Sequence, residues 1–136
     1  MDTNPSSTPL KVFVVEDAAP VRRNLARLLG AIAGVEMAGE AEDGQSALVS
    51  LLARAADVAV VDLRLAGSSG IELISALSKQ RPEIVTIAFT NHSGSAFRTA
   101  CKAAGAHFFF DKTAEFDAAC RTIAQLAATR AQRAAR

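Results

Sequence analysis

The sequence predicts a doubly wound α/β fold, a parallel sheet with helices on both faces. Five short apolar runs, Lys11–Val15, Val35–Ala41, Val58–Asp62, Ile84–Thr90 and His107–Phe110, alternate with segments whose apolar residues recur at three- and four-residue spacing. Runs such as Val58-Ala59-Val60-Val61 are apolar without alternation, as expected of strands covered on both faces and joined by right-handed crossovers.

The first helical segment carries Val21, Leu25, Leu28, Leu29 and Ile32 on one face, with Pro20 near its start, where a missing amide proton costs nothing. The second follows Asp43-Gly44 and carries Leu48, Leu51, Leu52 and Ala55. The third has Ile71, Ile74 and Leu77, the fourth Phe97, Ala100, Cys101 and Ala104, and the fifth Phe116, Cys120, Ile123 and Ala127. Each is apolar on one side, as a helix lying on a sheet must be.

With 136 residues, half of them apolar, the chain has room for one domain with a real core. Its 15 basic and 14 acidic side chains nearly cancel, so net charge gives no case for nucleic acid or an anionic membrane. Residues 1–9 are polar with two prolines and read as a flexible tail, neither leader nor anchor, which makes a cytoplasmic location the expectation. Residues 10–128 form the expected domain, and 129–136 a basic, solvated helix end or tail. Cys101 and Cys120 lack metal-ligand spacing and are expected as buried, reduced thiols.

The strand ends carry the chemistry. Glu16-Asp17 follows the first run, Asp62 ends the third, Thr90 ends the fourth and Lys112 follows the fifth. A parallel sheet gathers these at its carboxyl edge, where ligands of open α/β sheets bind. Adjacent carboxylates repel, so Glu16-Asp17 asks for a cation, and Mg2+ prefers such oxygen ligands. Asp62, at the end of a buried strand, needs compensation by a metal or an amine, which Lys112 can supply. A carboxylate so placed can act as a nucleophile toward phosphorus, giving an acyl phosphate, with Thr90 and Lys112 available to phosphoryl oxygens.

From Leu10 to about Ala128 these residues resemble the receiver domains of two-component response regulators. The matching pieces are Glu16-Asp17, Asp62 with Gly70 eight residues on, Thr90, the Gly105-Ala106 turn and Lys112. The resemblance implies a flavodoxin-like five-stranded sheet of order 2-1-3-4-5, with Asp62 as phosphoacceptor and Glu16, Asp17 and Asp62 around Mg2+. It also implies a histidine kinase or histidine phosphotransfer protein as donor. Thr90 and an aromatic residue on the fifth strand, here Phe109, would act as the switch, reshaping the face of the fourth helix, fifth strand and fifth helix. Phe108-Phe109-Phe110 also fits simple strand packing.

Three positions depart from the family: Ala66 and Thr113 stand where proline is usual, and Asn91 replaces a small residue. Arg64 and His92, two residues after Asp62 and Thr90, fall where the family tunes phosphoryl lifetime; His92 is otherwise an exposed loop residue, and His107 is expected to be structural or solvent-facing. A flavin site would require an anion-cradling Ser/Thr/Gly turn where Glu16-Asp17 stands, and a haloacid-dehalogenase-type phosphatase would require a nucleophile and a second acid two residues apart on the first strand's end. No phosphate loop or nucleophile elbow is present.

The expected protein is a non-enzymatic, stand-alone receiver acting on an unidentified downstream protein. Phosphorylation-dependent homodimerisation stays open; no membrane association or sequence-specific DNA binding is expected, the latter because five βα units leave no helix-turn-helix. The alternative is a receiver-shaped binding module indifferent to phosphate.

Overall fold

The computed structural model describes residues 8–65, 67–91 and 94–134. Strand β1 (Leu10–Val15) leads to helix α1 (Ala19–Gly30), β2 (Val35–Ala41), α2 (Gly44–Ala53) and β3 (Val58–Val61). A two-residue hairpin, β4 (Arg64–Leu65) and β5 (Ser68–Ser69), precedes α3 (Gly70–Gln80), β6 (Val85–Thr90), α4 (Ser95–Ala104), β7 (Phe108–Asp111) and α5 (Phe116–Ala134). The large sheet is parallel throughout, in the order β2-β1-β3-β6-β7. With the hairpin set aside this is the flavodoxin-like 2-1-3-4-5 order.

Side chains alternate across the sheet and divide the core in two. Phe13, Val15, Ala59, Val61 and Ala88 pack under Leu51 of α2, Leu73, Ile74 and Leu77 of α3 and Cys101 of α4. Val12, Val14, Val58, Val60, Ile87 and Phe89 face Leu25 and Leu29 of α1 and Ala119, Ile123 and Ala127 of α5. The two-sided burial explains the unbroken apolar strand sequences.

Several apolar positions expected on buried helix faces do not lie there. Val21, Leu52 and Phe97 are 43, 42 and 43% exposed, and Ala55, exposed, lies beyond the end of α2. Cys101 is fully buried, but Cys120 only partly so. Helical spacing marks a stripe wider than the strip the sheet covers, so its margins reach water.

Helix ends follow local chemistry. Asp43 caps α2 by accepting from the Ser46 amide at 2.7 Å, and Ser69 caps α3 by accepting from the Ile71 amide at 3.1 Å. Gly105 ends α4 at φ 109°, a left-handed conformation suited to glycine. Expected tail residues 1–7 lie outside the described residues. The basic end of the chain is helical through Ala134, and Arg130 is tied by Nη1 to Asp57 Oδ1 at 3.0 Å, so this arginine is held against the sheet's amino edge. Among the described residues no helix is long and apolar enough to cross a membrane.

Candidate functional site

The carboxyl ends of β1, β3, β6 and β7 converge because the strands are parallel and in register: Val15 lies beside Val61, Val61 beside Ala88, and Thr90 beside Asp111. Glu16 and Asp17 follow β1, Asp62 follows β3, Thr90 ends β6 and Lys112 follows β7. One carboxylate oxygen from each of Glu16, Asp17 and Asp62 lies within 4.8 Å of the others. Glu16, Asp62 and Thr90 are buried, whereas Asp17 is exposed at the rim.

Lys112 ties the buried part together. Its Nζ donates to Glu16 Oε1 at 2.5 Å and to Asp62 Oδ2 at 2.9 Å, and its amide donates to the Thr90 carbonyl at 2.8 Å. Burial raises the Glu16 pKa above the ordinary carboxylate value, against the opposing hydrogen bond and charge of Lys112. Burial also works against the Lys112 ammonium, but hydrogen bonds to Glu16 and Asp62 and their charges outweigh it and raise its pKa. Lys112 is therefore a fixed cation at neutral pH.

The chain around Asp62 is crowded. Its amide donates to the Val15 carbonyl at 3.0 Å, and the Arg64 amide approaches Asp62 Oδ1 at 3.4 Å. Gly70 donates to the Leu63 carbonyl at 2.9 Å, and a Cβ on Gly70 would lie 2.0 Å from the Asp62 carbonyl oxygen. Glycine is required here for close backbone approach.

Asn91 and Thr113, both departures from the family pattern, meet: the Thr113 hydroxyl donates to Asn91 Oδ1 at 3.1 Å, bridging the loops after β6 and β7. Phe109 is half-buried, with the Arg98 guanidinium 4.6 Å from its ring centroid. Arg98 Nη2 also pairs with Glu115 Oε1 at 3.1 Å, and Glu115 Oε1 accepts the Asp111 amide at 2.8 Å. Arg64 is exposed. Ala66 and His92 lie outside the described residues. His107 is exposed yet structurally engaged, its Nδ1 accepting from the Thr86 amide at 3.1 Å.

Sequence reading passed over Arg22, whose Nη1 donates to the Glu16 carbonyl at 2.9 Å, and Arg98. Arg22 left a signal: a cation near a helix N-terminus opposes the helix dipole and needs a specific partner. Arg98 left none, because its ring partner lies on another element.

The model of the response regulator receiver domain matches residues 12–124. The DNA-binding transcriptional activator DevR/DosR of Mycobacterium tuberculosis is 38% identical over 84 residues, 62% of this chain and 39% of that protein. Response regulator GacA of Pseudomonas aeruginosa is 29% identical over 117 residues, 86% of this chain and 55% of that one. A LuxR-family two-component response regulator from Aurantimonas sp. superposes with TM-score 0.82 at 28% identity, over 90% of this chain and 87% of that one. The response regulator TrrA from Thermotoga maritima, in complex with Mg2+ and BeF, gives TM-score 0.75 at 25% identity over 86 and 98% of the two chains.

The chain spans about half the length, or less, of the curated relatives it matches. These relatives, one of them named as DNA-binding, overturn the expectation that sequence-specific DNA binding plays no part. Counting helices in five βα units bears only on the receiver, whereas such relatives extend well beyond the matched segment.

Proposed function

Because the chain belongs to the response regulator receiver family, we propose that it accepts a phosphoryl group on Asp62 with Mg2+ and passes the change to a binding surface. The observation that carries this is the convergence of three carboxylates with a cationic Lys112 held against two of them. The donor set is all oxygen, which suits Mg2+. Asp17 at the rim and Asp62, with Glu16 behind, would hold the ion, and the bound ion would neutralise charge on phosphoryl oxygens.

In the transfer, a carboxylate oxygen of Asp62 forms a bond to phosphorus while the bond from phosphorus to the donor's leaving atom breaks and that atom keeps the electron pair. A histidine kinase or phosphotransfer protein would deliver the group from an imidazole nitrogen; acetyl phosphate would deliver it from an acyl oxygen. Lys112 must partly leave Asp62 Oδ2 to meet a phosphoryl oxygen, and it stays attached to Glu16 as it does so. Thr90 supplies a hydroxyl at the strand end, where it can donate to a second phosphoryl oxygen. The role is one of acceptor and switch rather than of substrate turnover.

Movement of Thr90 toward the phosphoryl group would disturb the loop bridged by Asn91 and Thr113 and, through β7, the stacking of Phe109 on Arg98. The surface of α4, β7 and α5 is therefore the proposed output face. Arg64, and His92 two positions after Thr90 in the sequence, are proposed to tune how long the acyl phosphate lasts. Incubation with acetyl phosphate tests the proposal: incorporation should require Mg2+ and stop on chelation while the domain remains folded. Metal-independent incorporation would contradict it.

A further inference from the structure

We propose that Arg22 is a positioning residue for the acidic site, fixing the main chain that carries Glu16 and Asp17 and thereby setting the affinity for Mg2+. The proposal rests on the reading of this site as a Mg2+-dependent phosphoryl acceptor. Arg22 lies early in α1 with its side chain only 14% exposed. Its Nη1 donates to the Glu16 carbonyl at 2.9 Å, while its Nε donates to Glu40 Oε1 on β2 at 3.3 Å.

The carbonyl that Arg22 grips belongs to the peptide joining Glu16 to Asp17. Its direction sets the plane of that peptide and hence where the Asp17 side chain begins. The rest of Glu16 is held independently: its amide donates to the Ala41 carbonyl at 3.0 Å, and its Oε2 accepts from the Ala18 amide at 3.1 Å. With Lys112 on Oε1, these contacts leave the carbonyl of the Glu16–Asp17 peptide to Arg22, which restrains it from the helix side. Asp17, at the rim, depends on that restraint for its aim.

Charge and position predict opposite outcomes. Arg22 is a cation bonded to the backbone carbonyl between two of the three site carboxylates, so by charge alone its removal should strengthen Mg2+ binding. If its main effect is to aim the peptide, removal should weaken binding despite the more negative site. Partners behind a metal's direct ligands commonly change affinity tenfold or more. The sign of the change therefore separates a positioning role from a surface ion pair with Glu40.

The test titrates Mg2+ into the metal-free full chain, followed by calorimetry and by the amide shift of Asp17, for wild type, Arg22→Ala, Arg22→Lys and Glu40→Ala. Arg22→Ala should bind Mg2+ about tenfold more weakly and show a moved Asp17 amide before metal is added. Arg22→Lys, with one donor for the carbonyl, should recover part of the loss, and Glu40→Ala should show a smaller loss in the same direction. Equal or tighter binding by Arg22→Ala, or no recovery by lysine, would overturn the proposal. If Arg22→Ala does not fold, Arg22→Lys and Glu40→Ala carry the test, and unchanged or tighter binding in both overturns it. Failure of the wild type to bind Mg2+ at all would instead overturn the reading of the site.

Discussion

Gly70→Ala should damage both stability and phosphoryl acceptance, although it adds only one methyl group. The new Cβ would lie 2.0 Å from the Asp62 carbonyl oxygen and 2.8 Å from Leu63 Cα, where ordinary contact begins at 3.4 Å. Both neighbours are main chain, so no side chain can rotate away. Either α3 or the Asp62–Leu63 peptide must retreat by about 1.4 Å. Overpacking of this kind costs about 1–3 kcal/mol, and the higher helix propensity of alanine returns at most about 1 kcal/mol. At the upper end of that cost, which a 2.0 Å approach to main chain implies, the net loss is about 2 kcal/mol and should lower Tm by roughly 8 °C. The same displacement misaims the Asp62 carboxylate, and a shift on the order of 1 Å can slow a positioned reaction about a hundredfold. Urea and thermal unfolding, paired with labelling by acetyl phosphate, measure the two effects. Gly94→Ala, where a Cβ would meet nothing within 4 Å but a poorer residue would occupy the N-cap of α4, is the steric control and should cost less than about 1 kcal/mol and leave labelling unchanged. Wild-type Tm and labelling rate in Gly70→Ala would refute the account of why glycine stands there.

Lys112→Ala should destabilise the metal-free protein by about 2 kcal/mol, less than for a fully buried pair because Lys112 keeps some contact with water, and Mg2+ should restore part of this in denaturant melts. Because the folded Lys112 pKa lies above its ordinary 10.5, its stabilisation is complete below that pH and lost as pH rises through the higher folded value; Lys112→Ala should flatten this alkaline decline. Ser69→Ala removes the cap of α3 and should cost about 1 kcal/mol, read from urea midpoints. Arg64→Ala should speed loss of the phosphoryl label about tenfold, a barrier change of about 1.4 kcal/mol; equal or slower decay would exclude shielding by that side chain.

The sheet was legible because double-sided burial leaves runs such as Val58–Val61 with no polar interruption, and because their polar ends must then gather at one edge. Glu16, Asp17, Asp62, Thr90 and Lys112 could be placed together from strand direction alone. What could not be read depends on three-dimensional neighbours. Val21, Leu52 and Phe97 share helical spacing with core residues, and only the width of the covered strip decides that they face water. The hairpin of Arg64–Leu65 with Ser68–Ser69 is too short for a periodic signal. The pairing of Asn91 with Thr113 joins residues 22 positions apart, and each alone looked like an isolated departure. The expectation about DNA failed for another reason: it inferred a partner from the helices of one domain.

The central claim is that Asp62 receives the phosphoryl group. Its most direct test is peptide-level mass analysis after incubation of the full chain with acetyl phosphate and Mg2+. A phosphoryl group on Asp62, lost in Asp62→Asn and blocked by chelation, is the predicted result. A label on any other residue of the wild type, or undiminished labelling of Asp62→Asn, would contradict the account.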